Sequence, residues 1–149
     1  MAFQCPPLPC QLHATCVSLV GNGLLLVGRA GIGKSTLALE LMALGAELVA
    51  DDRCDISICG EYVAVRRPPN LPQAIEARGI GLLSAPCADE ARLVGVVDLE
   101  GASQERLPVR RYVDFAGTPL PLIQKSDQTN LAAALLHFLK FGFHGSINT

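Results

Sequence analysis

The residues with the clearest chemical potential form the segment Gly28-Arg29-Ala30-Gly31-Ile32-Gly33-Lys34-Ser35. It matches the pattern Gly-x-x-x-x-Gly-Lys-Ser/Thr, in which backbone N–H groups surround phosphate oxygens. In such a loop the lysine ammonium reaches the β- and γ-phosphates, and the serine hydroxyl binds Mg²⁺. The sequence therefore predicts a nucleoside triphosphate site, whose residues are Gly28, Arg29, Ala30, Gly31, Ile32, Gly33, Lys34, Ser35 and Thr36.

Two neighbouring carboxylates follow at a position where phosphoryl transfer needs them. Asp51 and Asp52 come directly after a predicted strand, Glu47–Ala50, and ligands of α/β sheets bind beyond the carboxyl ends of strands. Transfer of a phosphoryl group needs a carboxylate near the metal and a group that orients or deprotonates the nucleophile. Because successive side chains of an extended segment point in opposite directions, we expect one carboxylate to face the metal and the other the incoming hydroxyl.

The elements on either side of the loop must position these groups. Leu24–Val27 has the continuous apolar character of a buried strand, and Ser35–Leu44 carries leucines at helical spacing. Ala14–Val20 is predicted to form a hairpin with Leu24–Val27 through the turn Gly21-Asn22-Gly23. Strand, helix and strand in this order imply a right-handed crossover.

The remaining sequence predicts further strands and a second helix. Asp55–Ile58 and Tyr62–Val65 are typical of a second hairpin, and Leu93–Leu99 of a buried strand. The glycines of Ile75–Leu83 indicate a loop that runs into a short strand. Glu100–Arg111 is polar and turn-rich, whereas Asn130–Phe141 has apolar residues at helical spacing and predicts a C-terminal helix.

Composition favours one compact domain. The 149 residues are 50% hydrophobic and 17% charged, which suffices for a single core. Prolines in the first dozen residues predict an extended, loosely held arm over 1–12, followed by a single domain over 13–149. The net charge of −2 and the scattered basic residues argue against a nucleic-acid partner.

The lack of a targeting signal in the sequence and the pattern of cysteines predict a soluble, cytoplasmic chain. No apolar run is long enough to span a membrane, and the N-terminus lacks the pattern of a signal peptide. The six cysteines show no metal-binding spacing. We expect them to be reduced and to pack as small apolar residues.

With these residues in view, the sequence resembles the catalytic domain of HPr kinase/phosphorylase, a bacterial enzyme that phosphorylates a serine of the phosphocarrier protein HPr. The resemblance runs from Leu12-His13 to Gly81 and includes the phosphate loop, Glu47–Arg53 and Pro68-Pro69. Ile75–Gly81 resembles the signature segment of that family. The resemblance implies an α/β fold: a P-loop kinase fold of the HPr kinase/phosphoenolpyruvate carboxykinase type, with a central mixed sheet and flanking helices.

The resemblance also implies roles for individual residues. Asp52 would act as base toward the protein serine, and as acid in the reverse phosphorolysis, while Glu76 would bind Mg²⁺ together with Ser35. A histidine at the place of His13 would tune the Asp52 carboxylate or stabilise the transferred charge, although a lone histidine beside apolar residues is more often structural. The predicted catalytic residues are Asp52, Asp51, His13, Lys34, Arg78 and Arg106.

Three departures from the family pattern qualify these expectations. Only Met1–Leu12 precedes His13, so we expect the chain to lack the family's common N-terminal domain and to resemble the short single-domain forms of alphaproteobacteria that act in regulatory phosphotransferase systems. The stretch around Arg106 matches the family's flexible loop only weakly, so two interpretations stay open for Arg106: the flexible-loop arginine of the family or an ordinary surface arginine. Lys125–Asn130 replaces a segment whose arginine is associated with dephosphorylation, so we expect kinase activity with little phosphorolysis.

The implied cofactors are ATP and Mg²⁺. The implied partners are an HPr-like phosphocarrier, a second copy of the chain in a homo-oligomer, and a sensor kinase.

Two other functions remain open from the sequence alone. One is a different small P-loop kinase or NTPase that acts on a metabolite or on water. The other is a nucleotide-binding sensor without catalysis, which would need Lys34 and Ser35 but neither Asp52 nor Glu76.

Overall fold

A computed structural model of the chain describes residues 3–127 and 129–145. Met1 and Ala2 of the predicted arm, Gln128 of the segment Lys125–Asn130, and residues 146–149 at the end of the predicted domain lie outside the described residues. The strands are β1 (Cys10–Leu12), β2 (Ala14–Leu19), β3 (Asn22–Val27), β4 (Glu47–Ala50), β5 (Cys54–Cys59), β6 (Tyr62–Arg66), β7 (Ala74–Ala77), β8 (Gly81–Ser84), β9 (Ala91–Ser103), β10 (Arg111–Phe115) and β11 (Thr118–Ser126). The helices are α1 (Lys34–Ala43) and α2 (Leu131–Phe141).

One mixed sheet carries nine of these strands. Its main path runs β1-β5-β6-β9-β3-β2-β4, and β11 joins β9 while β10 joins β11. The phosphate-loop strand β3 pairs antiparallel with β2 and parallel with β9. Strand β4 pairs antiparallel with β2 as well, so β3 and β4 run in the same direction with β2 between them. The predicted mixed α/β sheet with helices against it is confirmed.

The hairpin β2–β3 delivers the chain into the phosphate loop. Leu19 pairs with Asn22, so the connecting residues are Val20 and Gly21, both with positive φ, 49° and 84°. Positive φ at both central residues is the geometry that suits a two-residue hairpin turn. The hairpin is confirmed, although its turn lies one residue earlier than Gly21-Asn22-Gly23 and strand β3 already begins at Asn22.

The sheet buries apolar residues on both faces. On one face, residues of both helices, including Leu37, Leu41 and Leu135, pack with Leu24 and Leu26 of β3. On the other face, Leu25 and Val27 of β3 belong to a cluster formed with β5, β6, β10 and β11. This alternation confirms that β3 is a fully buried strand, which anchors the loop that follows it.

The second helix begins at a capping residue. The side-chain oxygen of Asn130 accepts a hydrogen bond from the Ala133 N–H at 3.1 Å, which satisfies one of the free N–H groups at a helix start. The predicted helices Ser35–Leu44 and Asn130–Phe141 are confirmed as α1 and α2. Within the described part of the chain, no helix has the length and apolar character needed to cross a membrane.

Several predicted elements need correction. Cys10–Leu12 form β1 against β5, so this end of the arm is not loosely held. Ile75–Leu83 is a hairpin of β7 and β8 rather than a loop before one strand, because Ile75 is buried against the helices and holds β7 in place. Glu100–Ser103 continue strand β9, since β11 pairs with that end of β9.

All six cysteines are free thiols. Cys16 and Cys54 are fully buried in the sheet, and burial raises the pKa of Cys16 to about 12. Both therefore pack as small apolar residues, as expected from the sequence.

Candidate functional site

The phosphate loop turns sharply between β3 and α1. Gly28 has a φ of 145°, and a Cβ at this position would lie 2.9 Å from Cγ2 of Ile32. Gly33 has a φ of 115° and caps α1. Both conformations favour glycine, so the loop reaches the N-terminus of α1 in a shape suited to phosphate.

A cleft opens in front of this loop. It is lined by side chains from four parts of the chain: the β1–β2 region, the phosphate loop with the start of α1, the end of β4, and the β7–β8 hairpin. The lining residues are His13, Thr15, Ala30, Gly31, Gly33, Lys34, Ser35, Thr36, Asp52, Glu76 and Arg78. Most of the predicted site residues are thus brought together.

Lys34 is held inside the loop. Its Nζ donates hydrogen bonds to the carbonyl oxygens of Gly28 at 2.6 Å and Arg29 at 3.0 Å, and the residue is only 6% exposed. Burial lowers the pKa of this ammonium, while the nearby carboxylates, Asp52 first, oppose the shift. Because an ammonium has three N–H donors, these two bonds leave one to meet a phosphate oxygen.

Asp51 joins three elements through one carboxylate. Its Oδ1 accepts hydrogen bonds from Oγ1 of Thr15 at 3.0 Å and from Oγ of Ser35 at 2.7 Å. Its Oδ2 accepts the backbone N–H of Glu76 at 3.1 Å. The carboxylate thus ties β2, α1 and β7 together and fixes the orientation of the Ser35 hydroxyl.

Asp52 faces a different partner. Its Oδ1 lies 2.8 Å from Nε2 of His13, and both side chains are about half exposed, at 58% and 45%. An ionised carboxylate can only accept, so this hydrogen bond requires a proton on Nε2. The backbone of Asp52 has a φ of 74°, a left-handed conformation that costs energy for a residue other than glycine. Asp51 and Asp52 therefore serve different contacts; that one faces the metal and the other the incoming hydroxyl stays a prediction.

The β7–β8 hairpin closes the cleft on a third side. Arg78 donates from Nη2 to the carbonyl oxygen of Gly31 at 3.1 Å, which links the hairpin to the middle of the phosphate loop. The side chain of Glu76 lines the cleft. The signature segment identified in the sequence is thus positioned by contacts with the loop and with Asp51.

The donor set suits Mg²⁺ held together with phosphate. The Ser35 hydroxyl gives its proton to Asp51, so its oxygen lone pairs remain for a cation, and the Glu76 carboxylate lines the same cleft. Among the described residues no cluster of three or more His, Cys, Asp or Glu could hold a metal by itself. Mg²⁺ commonly takes only one or two protein ligands and completes its shell with water and substrate phosphates, so Ser35 and Glu76 fit this role.

Two residues of the site were not predicted from the sequence. Thr15 binds Asp51 from strand β2. Glu100, in the part of β9 that the sequence predicted to be polar and turn-rich, accepts the Arg29 backbone N–H at 2.6 Å and an N–H of the Arg29 guanidinium. The Arg29 N–H, followed by its side-chain charge and that of Lys34, lowers the pKa of Glu100. Glu100 thus anchors the first turn of the phosphate loop.

Arg106 is not brought to the cleft. It lies in the exposed stretch 104–109 after β9 and lines neither this cleft nor the one beside it. The alternative of an ordinary surface arginine agrees with this position.

Comparison with known proteins shows the family. The sequence profile described as HPr Serine kinase C-terminal domain matches residues 8–88, more than half of the chain. The chain belongs to this family. The HPr serine kinase match covers the cleft residues from His13 to Arg78, so it includes the phosphate loop, both aspartates and the β7–β8 hairpin.

Individual relatives agree with the HPr serine kinase family. The HPr kinase/phosphorylase of Cupriavidus metallidurans is 36% identical, and the alignment covers 81% of this chain and 42% of the relative. That of Burkholderia lata is 47% identical with the same coverage, and that of Enterococcus faecalis is 40% identical over 66% of this chain and 30% of the relative. The chain spans less than half the length of these curated relatives.

A solved structure confirms the fold. The HPr(Ser) kinase/phosphatase from Coxiella burnetii superposes with a TM-score of 0.73 at 23% sequence identity, over 87% of this chain and 88% of that one. The predicted P-loop kinase fold of the HPr kinase type is therefore correct.

Proposed function

We propose that this chain is a serine kinase that transfers the γ-phosphoryl group of ATP to a serine of an HPr-like phosphocarrier protein in the cytoplasm. The observation that carries the proposal is the position of Asp52. Its carboxylate, held by His13 at 2.8 Å, lines the same cleft as Lys34 and Ser35. The names of the relatives, HPr kinase/phosphorylase, support the choice of acceptor.

Asp52 is the base of the proposed reaction. The serine oxygen of the carrier attacks the γ-phosphorus, the bond between this phosphorus and the bridging oxygen of ADP breaks, and Asp52 takes the hydroxyl proton. A strong base is not required, because the proton leaves late in a loose transition state. The Nε2–H group of His13 holds the carboxylate in position and stabilises its charge before the proton arrives.

The loop residues hold the donor. The N–H groups at the start of α1 and the third N–H of Lys34 would bind the β- and γ-phosphates. Ser35 and Glu76 would hold Mg²⁺, which neutralises charge on the phosphate oxygens when it is bound. Asp51 acts indirectly, because its three hydrogen bonds position the Ser35 hydroxyl and the backbone of Glu76.

A phosphoryl-transfer assay tests this function. The protein is mixed with γ-labelled ATP, Mg²⁺ and an HPr-like carrier, and the wild type is compared with Asp52→Asn. We expect labelled carrier with the wild type and a loss of about 10²- to 10⁴-fold in the variant, the usual contribution of a general base. Asp55→Asn is the matched control, because Asp55 does not line the cleft and accepts a hydrogen bond from Gln11 away from it. Free labelled phosphate without labelled carrier would identify an NTPase instead, and bound ATP without turnover would identify a sensor.

We further propose that the reverse phosphorolysis is weak. The segment Lys125–Asn130 carries no arginine, and its Asn130 caps α2. Incubation of phosphorylated carrier with inorganic phosphate should therefore yield little pyrophosphate. Rapid pyrophosphate formation would contradict this expectation.

A homo-oligomer and a sensor kinase are also proposed as partners, on the basis of the resemblance. Exposed apolar side chains on the β7–β8 hairpin, Ile80 at 79% and Leu82 at 66%, support a protein contact on this hairpin. Sedimentation analysis of the purified chain tests the oligomer, and co-purification with candidate sensor kinases tests the second partner.

A further inference from the structure

A second cleft also borders the phosphate loop. It has a volume of about 520 Å³ and shares Gly31, Gly33, Thr36 and Arg78 with the first cleft. Its remaining walls come from α1, the end of β9, the end of β11 and the start of α2. The two clefts are therefore neighbours at the phosphate loop and the first turn of α1.

The groups that carry the proposed chemistry determine how a nucleotide must lie across this loop. Asp52, His13 and Glu76 line the first cleft and are absent from the lining of the second. The terminal phosphate must reach Asp52, so it belongs in the first cleft. The phosphate chain then passes the loop and Thr36, and the rest of the nucleotide emerges on the side of the second cleft.

The walls of the second cleft have the chemistry that a nucleoside requires. Leu37 and Leu99, which are 5% and 7% exposed, and half-buried Leu131 provide apolar surface. Lys125 and Asn130 provide polar groups at the same cleft. The oxygen of the Asn130 side chain caps α2, so its NH₂ group is the part that can donate to a ligand. Apolar walls with a few polar groups, at this volume, are typical of sites for small organic ligands.

We propose that the second cleft binds the base and ribose of the nucleoside triphosphate, with the base against Leu99 and Leu131. This inference rests on the proposed use of ATP in the first cleft. It assigns a binding function to β9, β11 and α2, whose cleft residues Leu99, Lys125 and Leu131 lie beyond the matched family region 8–88.

Binding measurements that separate the nucleoside from the phosphates test the proposal. Affinities of wild type and Leu131→Asp are measured by calorimetry for Mg-ATP and for inorganic tripolyphosphate with Mg²⁺. Leu131 is the first residue of α2, and a carboxylate in the first turn of a helix is compatible with its dipole, so the variant is expected to fold. The matched control is Ala133→Asp, which adds the same charge to an exposed residue of the same turn outside the cleft.

We expect Leu131→Asp to weaken ATP by about ten-fold, the effect of losing one apolar contact, and tripolyphosphate by less than about two-fold. Ala133→Asp should leave both affinities unchanged. Equal weakening of both ligands would show that the new charge acts on the phosphates, and no weakening of ATP would show that the nucleoside lies elsewhere. Either result overturns this inference but leaves the proposed kinase function to the labelling assay. A wild type that binds neither ligand would overturn both.

Discussion

Replacement of Asp51 tests whether one carboxylate holds the site together. Asp51→Asn keeps one carbonyl oxygen and replaces the other oxygen by an NH₂ group. In one orientation of the amide, its oxygen accepts from the Thr15 and Ser35 hydroxyls, and its NH₂ group faces the Glu76 N–H, so that two donors lie against each other. In the other orientation, the oxygen accepts from the Glu76 N–H, and the two hydroxyls lose their acceptor. Either arrangement destabilises the folded protein.

The expected loss follows from these three bonds. A hydrogen bond to a charged group contributes about 1.5–3 kcal/mol, and a neutral one about 1 kcal/mol. Asp51 is half-buried, so water compensates in part. We therefore expect Asp51→Asn to lower the free energy of unfolding by about 2 kcal/mol, and Asp51→Ala, which removes all three acceptors, by about 3 kcal/mol. For a chain of this size, 2 kcal/mol corresponds to a decrease of about 4–8 °C in Tm.

Urea unfolding followed by far-ultraviolet circular dichroism measures these losses, since the chain has no tryptophan to report by fluorescence. Asp55→Asn is the control. Its Oδ1 accepts one hydrogen bond, from Gln11 at 3.0 Å, on the surface, and its loss should stay within about 0.5 kcal/mol. If Asp51→Ala and Asp55→Asn unfold at the same urea concentration with the same slope, Asp51 does not join the three elements and the reasoning is wrong.

Two further predictions concern the phosphate loop. Glu100→Gln should weaken ATP binding and lower stability near pH 7, because Glu100 holds Arg29. The pKa of Glu100 is lowered in the folded protein, so the contribution of Glu100 to stability is present above the unfolded pKa and is lost as pH falls through the folded pKa. The melting temperatures of wild type and Glu100→Gln should therefore converge in acid. A constant difference between them down to pH 3 would contradict this. Gly28→Ala should lower the free energy of unfolding by about 1–3 kcal/mol and reduce ATP affinity, because the residue has a φ of 145° and the added Cβ would press against Ile32. Urea unfolding measures the first effect and calorimetry the second. A variant that matches the wild type in both would show that the loop tolerates a side chain here.

The elements with strong local signals were predictable from the sequence. The phosphate loop, β3, α1 and β4 follow from a specific motif between an apolar run and a helical stripe. Helix α2 follows from its leucine spacing. In each case the residues that determine the element lie within the element itself, so no knowledge of distant contacts was needed.

Other elements depend on distant partners, and their local sequence misleads. Strand β11 contains Pro119 and Pro121, which normally argue against a strand. Both fall where β11 pairs with β10 alone, and pairing with β9 begins at Leu122. The glycines around β7 likewise indicate a loop, yet the Glu76 N–H binds Asp51, 25 residues earlier. Such contacts have no signature in the local pattern.

The same holds for the candidate site. Lys34, Ser35 and the two aspartates were found because motif and strand end point to them. Glu100 was missed, because its contact with Arg29 spans 71 residues and follows from the pairing of β3 with β9. A search for acidic residues at the ends of strands adjacent to β3 would have found it, had the strand order been known.

The long strand β9 has a consequence for synthesis on the ribosome. Both β3 and β6 take β9 as a neighbour in the sheet, but β9 begins only at Ala91. A nascent chain that has completed the hairpins and the phosphate-loop helix therefore still presents two unpaired strand edges, and such edges invite association with other chains. The phosphate loop is encoded early, yet strand β3, which supports it, gains its second neighbour only when β9 has left the exit tunnel.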